Sequence, residues 1–236
     1  MKVALLAHTQ LSEEFYSKLP LSHYTDGQAV ALTAIRTCYS PNKPSEIVSL
    51  EGGKYFGAKA TDGKEGTEAD RLIRHIVKSG HTSTLEHITF TFAIEEVSRA
   101  LLAQLTRHRV GFSYSVQSQR YVKFSSDSKS EGFDYVVPEK VKAKPGAEAV
   151  YKASMRAIQA DYDTLIALGV PQEDARSVLP QSATCNLVLT VNLRALLDFY
   201  SKRKPKAGAQ FEITQLAEKL KEKVISVEPW CEAFFM

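Results

Sequence analysis

The sequence predicts an α+β fold formed by a single domain of 236 residues. Three observations lead there. Segments 87–95 (HITFTFAIE) and 184–192 (TCNLVLTVN) have the alternating or apolar, β-branched character of strands. Several longer segments place apolar residues at helical spacing instead, and the two kinds do not alternate in regular βαβ units. The composition, 44% hydrophobic and 24% charged, is that of an ordinary globular protein.

The elements follow in order. Lys2 to His8 reads as a first strand, and Gln28 to Tyr39 as a helix. From Ser40 to Gly66, two prolines and five glycines predict a long loop. A helix over 68–80 ends on Gly80, a residue suited to the left-handed position after a helix. In 87–95, Ile88, Phe90, Phe92 and Ile94 face one way while Thr89, Thr91, Ala93 and Glu95 face the other. Residues 95–108 return to a helical period, and 120–124 (RYVKF) looks strand-like. A polar loop over 124–147 carries Pro138 and Pro145. Helices are expected over 147–168 and 173–180, then the strand 184–192, a helix over 193–202, a basic break (KRKPKAG), and a long amphipathic helix over 209–227.

Bulk properties exclude some functions. The net charge of +3 is mild and does not by itself call for nucleic acid. Three scattered cysteines, Cys38, Cys185 and Cys231, with no C-x-x-C pair, argue for a reducing compartment and against a disulfide framework or structural zinc. No run approaches the roughly 20 apolar residues of a membrane span. A cytoplasmic protein is expected. Neither G-x-G-x-x-G nor G-x-x-x-x-G-K-[ST] occurs.

The chemistry concentrates in residues 106–121, TRHRVGFSYSVQSQRY, which contain three arginines and no acid. Gln104, Arg107 and His108 share a helical face. Arg109 and Arg120, with Ser118 and Gln119, add the forked cations and neutral donors that hold phosphate or carboxylate. A solvated basic turn fits the same stretch. So does a single-stranded nucleic-acid surface, given Phe112, Tyr114 and Tyr121 among the charges. In GHTSTLEH (80–87), Ser83 and Glu86 have capping-box spacing, which leaves His81 and His87 unexplained. Arg176 lies in a short helix before LPQS, and Asn192 and Arg194 follow one another at the end of an apolar strand. Asp198, one turn beyond Arg194, is a candidate ion-pair partner for it. No nucleophile–base–acid triad is evident, so the hard chemistry would belong to an organic cofactor.

RHR, a spacer of eight residues and S-x-R-Y together resemble the signature of the flavin-dependent thymidylate synthases. The resemblance extends to G-H-x-S-x-x-E-H (80–87), A-R-x-V-L-P (175–180), T-V-N-x-R (190–194) and A-Q-x-E-I (209–213), in order, over residues 28 to the end. It implies a central, mostly antiparallel sheet flanked by helices, in a homotetramer with active sites between subunits. It further implies FAD as cofactor, NADPH as reductant, methylenetetrahydrofolate as carbon donor, and conversion of dUMP to dTMP. Carried over by position, Ser83, Arg107, His108, Arg109, Asn192, Arg194 and Asp198 would contact the flavin, with His81 and Glu86 shaping that site. Gln104, Arg107, Gln117, Ser118, Gln119, Arg120 and Arg176 would hold dUMP, and Arg203 would be the catalytic arginine against the uracil. On this reading nucleic acid and membrane are not partners, and no metal is needed.

Overall fold

The computed structural model describes residues 1–17, 19 and 24–236. Four strands, β1 (Lys2–His8), β2 (Thr89–Ser98), β3 (Phe112–Val116) and β4 (Thr184–Asn192), form one sheet in the order β1-β2-β4-β3, every neighbouring pair antiparallel. The helices are α1 (Glu13–Tyr16), α2 (Asp26–Thr37), α3 (Ile47–Phe56), α4 (Glu68–Lys78), α5 (Arg99–Leu105), α6 (Glu139–Lys142), α7 (Ala147–Ala167), α8 (Gln172–Ala175), α9 (Leu193–Arg203) and α10 (Phe211–Val227). The expected α+β class with a central antiparallel sheet is what forms.

The two-residue period decides which sheet face is covered. Phe90, Phe92 and Ile94 of β2 and Leu187, Leu189 and Val191 of β4 are buried. They join Leu196 and Phe199 of α9 and Ile213, Leu216 and Leu220 of α10 in the main core. Each such side chain contributes about 1.5–3 kcal/mol when fully removed from water. The opposite face carries Thr91, Ala93, Ser113, Ser115, Val188 and Thr190, none of them buried. There the Thr91 and Thr190 hydroxyls meet at 2.9 Å. A second core joins α2, α3 and α4 through Leu32, Val48, Tyr55, Phe56 and Ala69. A third lies in the segment between β3 and β4, around Phe124, Phe133, Met155 and Tyr162.

Three local expectations are corrected. The 40–66 loop contains α3, whose apolar Ile47, Val48, Tyr55 and Phe56 are buried at helical spacing around Gly52 and Gly53. The helix expected from residue 95 starts only at Arg99, because β2 continues through Ser98 across an irregularity between Ile94 and Val97, with Glu96 at φ 58°. That bulge breaks the alternation and disguises the strand end. RYVKF is a turn rather than a strand, and the strand is β3, which ends three residues short of it. In β3, Phe112, Tyr114 and Val116 point toward the core while Ser113 and Ser115 are exposed.

Candidate active site

The candidate residues gather at the two ends of β3. At its first end, α5 delivers Gln104 and stops at Thr106, so Arg107, His108 and Arg109 occupy the turn that follows. Three contacts fix this turn. The Tyr114 hydroxyl lies within hydrogen-bonding reach of the carbonyls of Leu105 (2.9 Å) and His108 (2.7 Å). Burial pushes the Tyr114 phenol well above its usual range, so it remains a donor. Gly111, at φ 75°, accepts from the Asn192 backbone N–H at 3.2 Å. A Cβ there would stand 2.6 Å from Asn192 Nδ2 and 2.7 Å from the Ala195 methyl, so glycine is required by both space and backbone.

His108 is half-buried, edge-on to Phe199 (4.9 Å, 80°) and tilted against Phe112 (5.8 Å). Its Nε2 accepts a hydrogen bond from Arg203 Nε at 3.2 Å. Burial, then the Arg203 and Lys202 cations, lower its pKa, with Asp198 pulling weakly the other way. A neutral ring that can accept from Arg203 is the consequence. Arg203, the last residue of α9, is therefore held beside the RHR turn although 95 residues separate the two in sequence. Arg107 and Arg109 are exposed, and neither side chain makes an ion pair or hydrogen bond with the described residues.

The remaining cofactor candidates surround the adjoining end of β4. Asn192 caps α9, its side chain accepting from Ala195 N–H at 2.9 Å. Arg194 pairs with Glu86 on the 3-10 turn Thr82–His87, linking GHTSTLEH to TVNLR. Asp198 pairs with Lys202 at 2.6 Å, which corrects the expectation that it partners Arg194. A carboxylate four residues before a cation is the favoured order on a helix, and Asp198–Lys202 has it where Arg194–Asp198 does not. The capping box expected of Ser83 and Glu86 does not form either. His81 occupies the cap position, Glu86 is engaged by Arg194, and the Ser83 hydroxyl makes no hydrogen bond with the described residues. His81 Nδ1 meets the Tyr39 hydroxyl at 3.0 Å.

The other end of β3 is different in kind. Gln117 bonds Asn186 of β4 through backbone (2.9 Å) and side chain (3.1 Å). Ser118 Oγ accepts from Arg120 N–H at 3.2 Å, and no base among the described residues is hydrogen-bonded to it. Gln119 is buried. Arg120 Nε and Nη2 both reach Glu173 Oε2 (2.9 and 2.8 Å), and Arg176 Nε donates to the Glu173 carbonyl at 2.9 Å. An open cleft of about 390 Å³ is lined by Gln119, Glu173, Arg176 and Gln181, together with Arg99. Sequence reasoning missed Arg99 and Glu173. Arg99 was hidden in a segment read as helix interior, whereas it is the first residue of α5.

The ladder sets the spacing between the clusters. Phe112 pairs with Val191 and Val116 with Leu187, so four strand steps, about 13 Å, part the RHR turn from the SQR turn. Gln104, RHR, Asn192 and Arg203 come together at one end, and Ser118–Arg120 and Arg176 at the other.

Known proteins similar to this chain point to one family and one fold. A protein-family model described as "Thymidylate synthase complementing protein" matches residues 20–230. A flavin-dependent thymidylate synthase of Geobacter sulfurreducens is 36% identical over 229 residues, 97% of this chain and 84% of the relative. One from Pyrococcus furiosus is 38% identical over 173 residues, 72% of this chain and 69% of the relative. In fold, the chain is similar to the UMP/dUMP methylase PolB of Streptomyces cacaoi, solved with 5-Br dUMP, at a TM-score of 0.71 and 22% identity, covering 99% and 93% of the two chains.

Proposed function

The chain belongs to the flavin-dependent thymidylate synthases, and from that premise we propose that its two β3 clusters are complementary halves of one active site, each completed by another copy of the chain. The enzyme methylates dUMP to dTMP, with methylenetetrahydrofolate as carbon donor, NADPH as reductant and FAD as cofactor, releasing tetrahydrofolate. One domain, residues 1–236, carries the activity.

The observation behind the composite site is the separation itself. The catalytic arginine sits with the RHR turn, while Gln119 and Arg176 open into a cleft four strand steps away, with Ser118 and Arg120 flanking Gln119 in sequence. Two anion-binding surfaces that must meet one nucleotide are then joined by symmetry. The uncovered sheet face, with Val188 40% exposed beside the Thr91–Thr190 pair, leaves room for contact between copies, in keeping with a homotetramer. The three cysteines are free, and no helix among the described residues is long and apolar enough to cross a membrane. Both are in keeping with a cytoplasmic location.

The donor set fits an anionic flavin nucleotide. Arg107 and Arg109 lack acidic partners, so a diphosphate would not have to displace one. His108, Asn192, Arg194 and Asp198 would line the same site, with Ser83 offering a free hydroxyl and His81 and Glu86 bounding it. When bound there and reduced by NADPH, FAD would supply the hydride equivalent. Gln104 and Arg107 would hold dUMP from one copy. Gln117, Ser118, Gln119, Arg120 and Arg176 would hold it from another, the serine as a donor to the phosphate rather than as a nucleophile. Arg203, placed against the pyrimidine, stabilises negative charge on N3 and the carbonyl oxygens, and so raises electron density at the carbon that attacks the methylene electrophile. Its bond to a neutral His108 holds the guanidinium without neutralising it.

The test is a spectrum. The purified protein should be yellow, with a flavin absorbance that dUMP perturbs and NADPH bleaches. A colourless protein that cannot be reconstituted with FAD, yet binds oligonucleotides with steep salt dependence, would favour a single-stranded nucleic-acid module instead.

A further inference from the structure

The A-Q-x-E-I element is one of the five that carry the family resemblance, yet neither Gln210 nor Glu212 has a part in the site described above. Glu212 stands in the first turn of α10, and its two carboxylate oxygens reach across to Ser98, the cap of α5. Oε1 accepts the Ser98 backbone N–H at 2.8 Å and Oε2 accepts the Ser98 hydroxyl at 2.5 Å. The same hydroxyl oxygen accepts from Leu101 N–H at 3.0 Å, closing the first turn of α5. At the other end of α5, Gln104 Nε2 donates to Gln210 Oε1. Ser98 is buried, so this is an interior tie.

We propose that Glu212, with Gln210, is a positioning device for the active site, acting through α5. With seven residues, α5 is too short to hold its own geometry, since helices of that length are marginal without tertiary support. It nevertheless carries Gln104 and leads, through its cap Thr106, into the turn that holds Arg107 and His108. By contrast, α10 is anchored along its length by Ile213, Leu216, Ala217, Leu220 and Val224, all buried. Three residues at the start of this fixed helix, 210–212, therefore tie down both ends of the short one. A carboxylate is specifically suited to the task, because it accepts from an N–H and an O–H at once, whereas an amide offers one acceptor oxygen. The inference rests on Gln104 and Arg107 being ligands of dUMP and flavin.

The experiment compares E212Q, S98A and the double variant with L220A, a core variant of the same helix that does not touch Ser98. dUMP affinity is read from its perturbation of the flavin spectrum in the FAD-loaded enzyme, with Tm measured alongside. E212Q and S98A should each weaken dUMP binding about tenfold, the usual scale for one lost charge-assisted hydrogen bond. The double variant should be no weaker than the worse single one, because both act through one tie. L220A should lose at least as much Tm while binding dUMP within about twofold of wild type. Wild-type affinity in both E212Q and S98A would overturn the proposal, as would an equal loss in L220A. Absence of any dUMP-responsive flavin in the wild-type protein is a separate outcome, and it would overturn the functional reading together with this one.

Discussion

The two ends of β3 handle charge in opposite ways. At the RHR end, aromatic rings and the Tyr114 hydroxyl fix the backbone, while Arg107 and Arg109 are left unpaired. At the SQR end, Arg120 is already gripped by Glu173, and the cleft beside it is open and polar. The first end is rigid and electrostatically unsatisfied, which suits a tightly held anionic cofactor. The second exchanges one partner for another, which suits a substrate that must enter and leave as product.

Several substitutions would break or sharpen that contrast. Arg203→Ala should cost the most, reducing dTMP formation on the order of 10²–10³-fold while FAD remains bound. Normal turnover in this variant would displace Arg203 from the catalytic role. Arg107→Ala should weaken both FAD and dUMP, each by about ten- to a hundredfold. Equilibrium titrations showing loss of neither would contradict the rigid end as a cofactor site. Gly111→Ala forces a Cβ into Asn192 at a positive φ and should destabilise by about 1–3 kcal/mol. Its Tm should fall and FAD binding weaken, and unchanged Tm and FAD affinity would refute the tight-turn argument.

The pH dependence of the rigid end follows from His108. Its folded-state pKa is lowered, so the fold favours the neutral ring. That stabilising contribution is fully present above the ordinary value of about 6.5 and is lost as pH falls through the lowered one. Wild-type Tm should drop over that acid window by more than that of His108→Gln, and equal drops in the two proteins would contradict this account. The smallest effect belongs to the open end. Glu173→Gln removes a half-exposed ion pair and should change stability little. By freeing Arg120 it should tighten dUMP binding by up to about threefold at low salt, and the gain should shrink as salt rises. A tenfold loss of affinity would instead make Glu173 part of the substrate's own cradle.

Much of this contrast could be read from the sequence, for identifiable reasons. The alternation of Ile88, Phe90, Phe92 and Ile94, and the apolar run 184–192, located the two central strands because burial on one sheet face enforces that pattern. The arginines and the SQR triplet were conspicuous because no acid lies near them in sequence. Glu173 was missed because it approaches Arg120 only through the fold, 53 residues on. Arg99 and the end of β2 were obscured by the bulge at Glu96. FSYSV reads as a spacer rather than as β3 because it is short and its serines resemble those of a loop. The link between Arg203 and His108 has no signal in the sequence at all, since it depends on the fold bringing the end of α9 beside the RHR turn.

The composite site is tested most directly by mixing two inactive variants. Arg203→Ala spoils the rigid half and Arg176→Ala the open half. Coexpressed at equal levels into mixed oligomers, they should regain about a quarter of wild-type activity, because random pairing of the two variants joins two intact halves in that share of sites. Mixed oligomers that are verified by mass yet remain as inactive as either parent would show that both halves of the site come from one chain.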